Sequence, residues 1–116
     1  MWVPDSGRQY DGSQDHVLKA VLKVMKDQGF ALTGTSDIIG TDIDVSIEAV
    51  AKTLILGLRS DVVVRLRDEA EQTTVDMRAV SRFGRYDLGF NARLIESFFN
   101  ALDLEMRNAV PDAPQE

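Results

Sequence analysis

The chain of 116 residues has no cysteine, which excludes disulfides, thiolate metal sites and a cysteine nucleophile. It has one histidine, His16, on the first turn of an expected helix and far in sequence from the other polar clusters. No Ser–His or Cys–His nucleophile arrangement can be assembled from that, and a surface position is expected for His16. Carboxylates are plentiful, but no spacing marks an acid/base pair or a metal cage, so no metal and no cofactor are expected. No apolar run approaches the ~18 residues of a membrane span. Met1-Trp2-Val3-Pro4 is too short for a secretory leader.

What remains describes one domain. A hydrophobic content of 44 % is that of a soluble globular chain, and the length leaves room for one core. The net charge of −6 argues against general nucleic-acid affinity, because phosphate backbones are bound by positive surfaces. Charge is nevertheless uneven. From Arg78 to Arg93 four arginines stand against one acid, Asp87, a local excess of positive charge within an acidic chain.

Along the chain, residues 1–12 carry Pro4, Gly7 and Gly12 without periodicity and read as a flexible lead-in. Ser13 or Asp15 can cap a first helix. Its apolar residues Val17, Leu18, Val21, Leu22 and Met25 share one face, and Gly29 sits where a terminating glycine belongs. A strand is expected over 30–36, then a Gly40-Thr41-Asp42 turn. Residues 43–53 alternate most clearly: Ile43, Val45, Ile47, Ala49 and Ala51 point one way, Asp44, Ser46, Glu48 and Lys52 the other. A turn over 57–60 leads to a strand over 61–68 facing Val62, Val64 and Leu66 inward. After a reversal at 69–72, a fourth strand over 73–81 faces Val75, Met77 and Ala79 inward. Keeping Leu66 and Val75 on one face requires paired residue numbers with an odd sum. The short reversal then sets Arg65 opposite Asp76 and Val63 opposite Arg78.

The last helix is expected from Leu88 to about Met106, with Leu88, Ala92, Ile95, Phe99 and Leu102 in one stripe. Leu94, Phe98 and Ala101 widen that stripe. Asp87 reads as its N-cap, worth about 1 kcal/mol, and residues 107–116 as a flexible acidic tail. Short connections force antiparallel neighbours, and a sheet with one apolar face needs helices over it. The expectation is therefore an α+β two-layer sandwich over residues 13–106. Its four-stranded antiparallel sheet has both helices on one face, in the order αββββα.

Two residue groups are candidate sites. Arg78, Arg82, Arg85 and Arg93, with Asn91, surround the start of the last helix, where free N–H groups and the helix dipole attract anions. The bland reading is that Arg82 pairs with Asp87 and Asn91 fixes the loop. Glu48, Lys52, Arg65, Arg67 and Asp76, joined by Arg78, share the polar side of the sheet. They form either a charged groove or a solvated face of weak cross-strand ion pairs.

The runs IEAVAKTLILGLRSDVVVRLR and VDMRAVSRFGRYDLGFNARLIESFFNAL resemble the domain of unknown function 1499 family. The most specific part is Val75-Asp76-x-Arg78, then Ser81-Arg82-x-Gly84, then Asp87-x-Gly89-x-Asn91-x-Arg93; Glu48-Ala49 and Arg65 also fit. The resemblance covers residues 17–104. Ala79 departs from it, since many relatives carry Ser there. The family comprises bacterial, cyanobacterial and plastid proteins without an established activity, many with an N-terminal signal, lipid anchor or membrane span. The resemblance thus implies an envelope-associated domain, although the chain as given is expected to be soluble and not to span a membrane.

The functional expectation is a non-catalytic binding or protein-interaction domain that uses the Arg-rich loop to contact a protein or a small anionic ligand. The alternatives are an enzyme acting on a small polar substrate over the charged sheet face, with Glu48 and Asp76 as its carboxylates, and a structural subunit of a membrane complex.

Overall fold

Alternation along the strands and caps at the helix ends set the architecture. A computed structural model describes residues 7–38, 44–52, 59–69, 71–82 and 89–108. The elements are β1 (Gly7–Asp11), α1 (Gln14–Asp27), β2 (Ala31–Ile38), β3 (Asp44–Lys52), β4 (Arg59–Glu69), β5 (Gln72–Ser81) and α2 (Phe90–Asn108). The strands form one sheet in the order β1-β5-β4-β3-β2, and every neighbouring pair is antiparallel. The α+β class stands, but the described residues form a sheet of five strands, not four.

The extra strand comes from the segment expected as lead-in. Gly7 to Asp11 pairs with Asp76 to Gln72 of β5. Its sequence, GRQYD, lacks apolar alternation because an edge strand at the rim of the core buries little. The turn expected over 57–60 does not include its last two residues. Arg59 and Ser60 belong to β4 and pair with Lys52 and Ala51, while residues 53–58 lie outside the described residues, as does the expected Gly40–Asp42 turn.

Helix α1 starts at Ser13, whose Oγ accepts a hydrogen bond from the His16 N–H at 3.2 Å. It ends where the Gly29 N–H donates to the Lys26 carbonyl and the Phe30 N–H to the Met25 carbonyl, with Gly29 at φ +80°. That double bond with a left-handed glycine satisfies carbonyls the helix would otherwise leave open. Helix α2 opens with the Arg93 N–H donating to the Gly89 carbonyl, 3.1 Å, so Gly89 holds the capping position two residues after the expected Asp87. Asp87 itself lies outside the described residues.

Both helices pack on one face of the sheet, against each other and against β4 and β5. Beneath them the inward side chains form matched rows: Ile47, Val64 and Met77; Ala49, Val62 and Ala79. Phe98 and Phe99 of α2 are buried, with Phe98 stacked on Phe30 at 6.3 Å between ring centroids. Each such side chain contributes roughly 1.5–3 kcal/mol by leaving water. Ala92, expected in the α2 stripe, is exposed, and Asn91 is buried instead. The other face of the sheet carries neither helix.

Candidate binding surface

Strand alternation determines what the open face displays. Pairing of β4 with β5 places Arg65 opposite Asp76 and Val63 opposite Arg78, the register expected from the sequence. Pairing of β3 with β4 sets Glu48 beside Val63, Ser46 beside Arg65, and Lys52 beside Arg59. Glu48, Lys52, Arg65, Arg67, Asp76 and Arg78 therefore share this face, with Val63 and Val80 exposed among them. The ion pairs among the described residues do not include one between Arg65 and Asp76. At one corner, Glu69 accepts hydrogen bonds from Gln9 Nε2 (3.0 Å) and Thr74 Oγ1 (2.9 Å). Those donors, Thr74 first, hold its carboxyl below the usual range.

The arginine group divides. Arg78 projects from the open face, whereas Arg93 is exposed on α2 in the helical layer across the sheet. Arg85 lies outside the described residues. Arg82 extends the open face by one more residue, because its N–H donates to the Arg59 carbonyl at 2.9 Å. Its Nε and Nη2 both reach Asp61 Oδ1 at 3.0 Å, so its described ionic partner is Asp61. Asn91 is fully buried and accepts a hydrogen bond from the Ser60 hydroxyl at 2.7 Å. It anchors the start of α2 to β4 from inside the core.

Arg59, which the residue types place in a turn, is a strand residue on the open face. The signal was available in the alternation: extending β4 backward from Asp61 puts Ser60 inward and Arg59 outward. Arg82, Arg59 and Lys52 then form one cross-strand row. The next row toward the sheet centre holds Val80, Asp61, Val50 and Ala31. A shallow depression of about 320 Å³ opens here, lined by Gly29, Ala31, Val50, Lys52, Arg59 and Arg82.

The helical side has its own polar cluster. Tyr10 Oη donates to Asp103 Oδ1 at 2.6 Å, Arg8 Nη1 pairs with Asp103 Oδ2, and the Arg8 guanidinium lies 5.2 Å from the Phe99 ring centre. Burial, reinforced by the bond to Asp103, pushes the Tyr10 hydroxyl well above the usual tyrosine range. The cluster ties β1 to α2 and is structural. His16 departs from the surface expectation: it is half-buried, with Nε2 shielded from solvent and unpartnered. Among the described residues no group of His, Asp and Glu could hold a metal ion, and no helix is long and apolar enough to cross a membrane.

These features define a small α+β domain with two helices on one side of an antiparallel sheet and a charged face on the other that carries no helix among the described residues. The chain belongs to the DUF1499 family of proteins of unknown function, whose model matches residues 5–102. No curated protein matches the chain. Among solved structures, it is similar to the vertebrate conserved region of human METTL16, with 13 % identity over 79 % of this chain and 73 % of that one, TM-score 0.48. It is also similar to TTHA0849 of Thermus thermophilus, with 12 % identity over 89 % and 95 % of the two chains, TM-score 0.42.

Proposed function

We propose that this chain is a non-catalytic binding domain whose open sheet face, from Arg78 to the Arg82 end, contacts a small anionic ligand. The observation that carries the reading is the positive excess at one end of that face, where Arg82, Arg59 and Lys52 stand side by side with one acid, Asp61, beside them; toward the sheet centre Arg65 and Arg67 are matched by Glu48 and Asp76. A sheet surface that exposes Arg59, Arg78 and Arg82 with Val63 and Val80 is suited to contact a ligand bearing both charge and apolar surface. The arginine contact surface is thus the sheet face itself. Envelope association, implied by the family resemblance, belongs to the same proposal.

The enzymatic alternative has less support, because its two carboxylates share the face without being neighbours. Asp76 of β5 is in register with Ser46 of β3 through Arg65 of β4, so Glu48 lies two strand spacings across and two residues along from it, about 12 Å between backbones. At that separation they do not share one proton or one water molecule.

The test is amide chemical-shift mapping with inorganic phosphate, acetate and octyl phosphate. The proposal expects saturable shifts at open-face residues such as Val63, Arg65 and Arg78, with Lys19, Lys26 and Glu96 of the helical layer unmoved. Shifts confined to the helical layer would overturn it.

A further inference from the structure

The row Arg82–Arg59–Lys52 sets like charges side by side on three adjacent strands. Like charges directly opposite destabilise a sheet, so such a row costs the folded protein stability. One of the three is offset, since Arg82 holds Asp61. Among the described residues, Lys52 and Arg59 have no ionic partner. Beside this cationic row runs one whose only charge, Asp61, is already taken by Arg82, leaving Val80, Val50 and Ala31 as apolar surface. The depression between Gly29, Ala31, Val50 and the three cations lies where the two rows meet.

We infer that this end of the open face is a binding site for a small amphiphile, its anionic head on Lys52, Arg59 and Arg82 and its apolar body along Val50 and Ala31. The inference rests on the binding-domain reading above and gives it a ligand class and a subsite. Adjacent strands are spaced about 4.8 Å apart, so one phosphate or carboxylate seated over Arg59 comes within reach of the Lys52 and Arg82 side chains on either side. The head group relieves the repulsion between the cations, and guanidiniums suit oxyanions through paired N–H donors. The apolar row supplies what inorganic phosphate cannot use. An alkyl phosphate is therefore bound more tightly than phosphate alone.

The experiment is a calorimetric titration backed by amide shifts, using inorganic phosphate, octyl phosphate, octanoate, and phosphatidate in phosphatidylcholine vesicles. Octyl phosphate is expected to move the amides of Val50, Lys52, Arg59 and Arg82, and to bind at least about fivefold more tightly than inorganic phosphate. Arg59→Ala is expected to weaken it about fivefold or more. Val50→Ser is expected to weaken octyl phosphate while leaving inorganic phosphate unchanged. Phosphatidate vesicles distinguish a membrane-borne head from a free amphiphile, and binding to either through these residues upholds the site. Because Lys52 and Arg59 are exposed, Lys52→Gln is expected to fold and to melt at or above the wild-type temperature; a fall of several degrees contradicts the uncompensated row. Shifts at Arg65 and Arg78 without Lys52 and Arg59 overturn the subsite but leave the open-face reading intact. Shifts nowhere on the open face overturn both.

Discussion

Replacing Asn91 by Ala removes a side chain with no solvent exposure from the joint between α2 and β4. Its Oδ1 accepts from the Ser60 hydroxyl at 2.7 Å, and Ser60 is itself only 1 % exposed. The variant strands a buried hydroxyl, a desolvation loss of about 1–3 kcal/mol, and leaves a small cavity besides. The total expected is about 2–3 kcal/mol. For a domain of this size that is a fall in Tm of roughly 10 °C. Ser60→Ala removes a smaller group together with the bond to Asn91 Oδ1, and is expected to cost about 1–2 kcal/mol. The double variant is expected to cost about 1 kcal/mol less than the sum of the singles, because both lose the same bond. Urea unfolding of the four proteins gives the cycle. Additive losses, or an Asn91→Ala variant as stable as wild type, would refute the assignment of Asn91 as an internal anchor.

Other expectations follow from the same contacts. Tyr10 keeps its proton well above the usual range, so the stability it contributes is complete below about pH 10 and is lost as pH rises through its folded-state value. In a Tyr86→Phe background, ultraviolet titration of the remaining tyrosine should run late, and Asp103→Ala should bring it earlier; an ordinary titration would contradict the cluster. Deleting residues 1–12 removes β1 with the Arg8 and Tyr10 bonds to Asp103, and should cost about 2–4 kcal/mol by denaturant unfolding. A truncated chain of wild-type stability would show that β1 adds nothing. Gly89→Ala should cost about 1 kcal/mol from the φ of +74° alone, since no atom stands within 4 Å of the added methyl. A much larger loss would mean that the space is occupied.

The central sheet was legible because its two kinds of information agree. Inward alternation of Val62, Val64 and Leu66 with Val75, Met77 and Ala79 restricts the register, and the short reversal selects one pairing, which the Arg65–Asp76 match bears out. Both α1 termini were equally plain, because Ser13 and Gly29 are residues whose chemistry suits a cap and a stop. Legibility ended where contacts are long-range. Tyr10 and Arg8 look like loop residues until Asp103, from the far end of the chain, closes on them. Asn91, grouped with the arginines as a surface candidate, is held inside by Ser60, which no local pattern relates to it. The arginine cluster looked contiguous along the chain, but the sheet separates Arg78 from Arg93. Arg59, absent from that cluster, joins Arg82 through the strand ladder.

The most direct test of the open face as the working surface is a crystal structure of the chain grown with octyl phosphate. Phosphate density is expected over Arg59, within reach of Lys52 and Arg82, with the alkyl chain lying along Val50 and Ala31. Density instead in the cleft beside Tyr10, Asp103 and Met106, or against the helices, would contradict it.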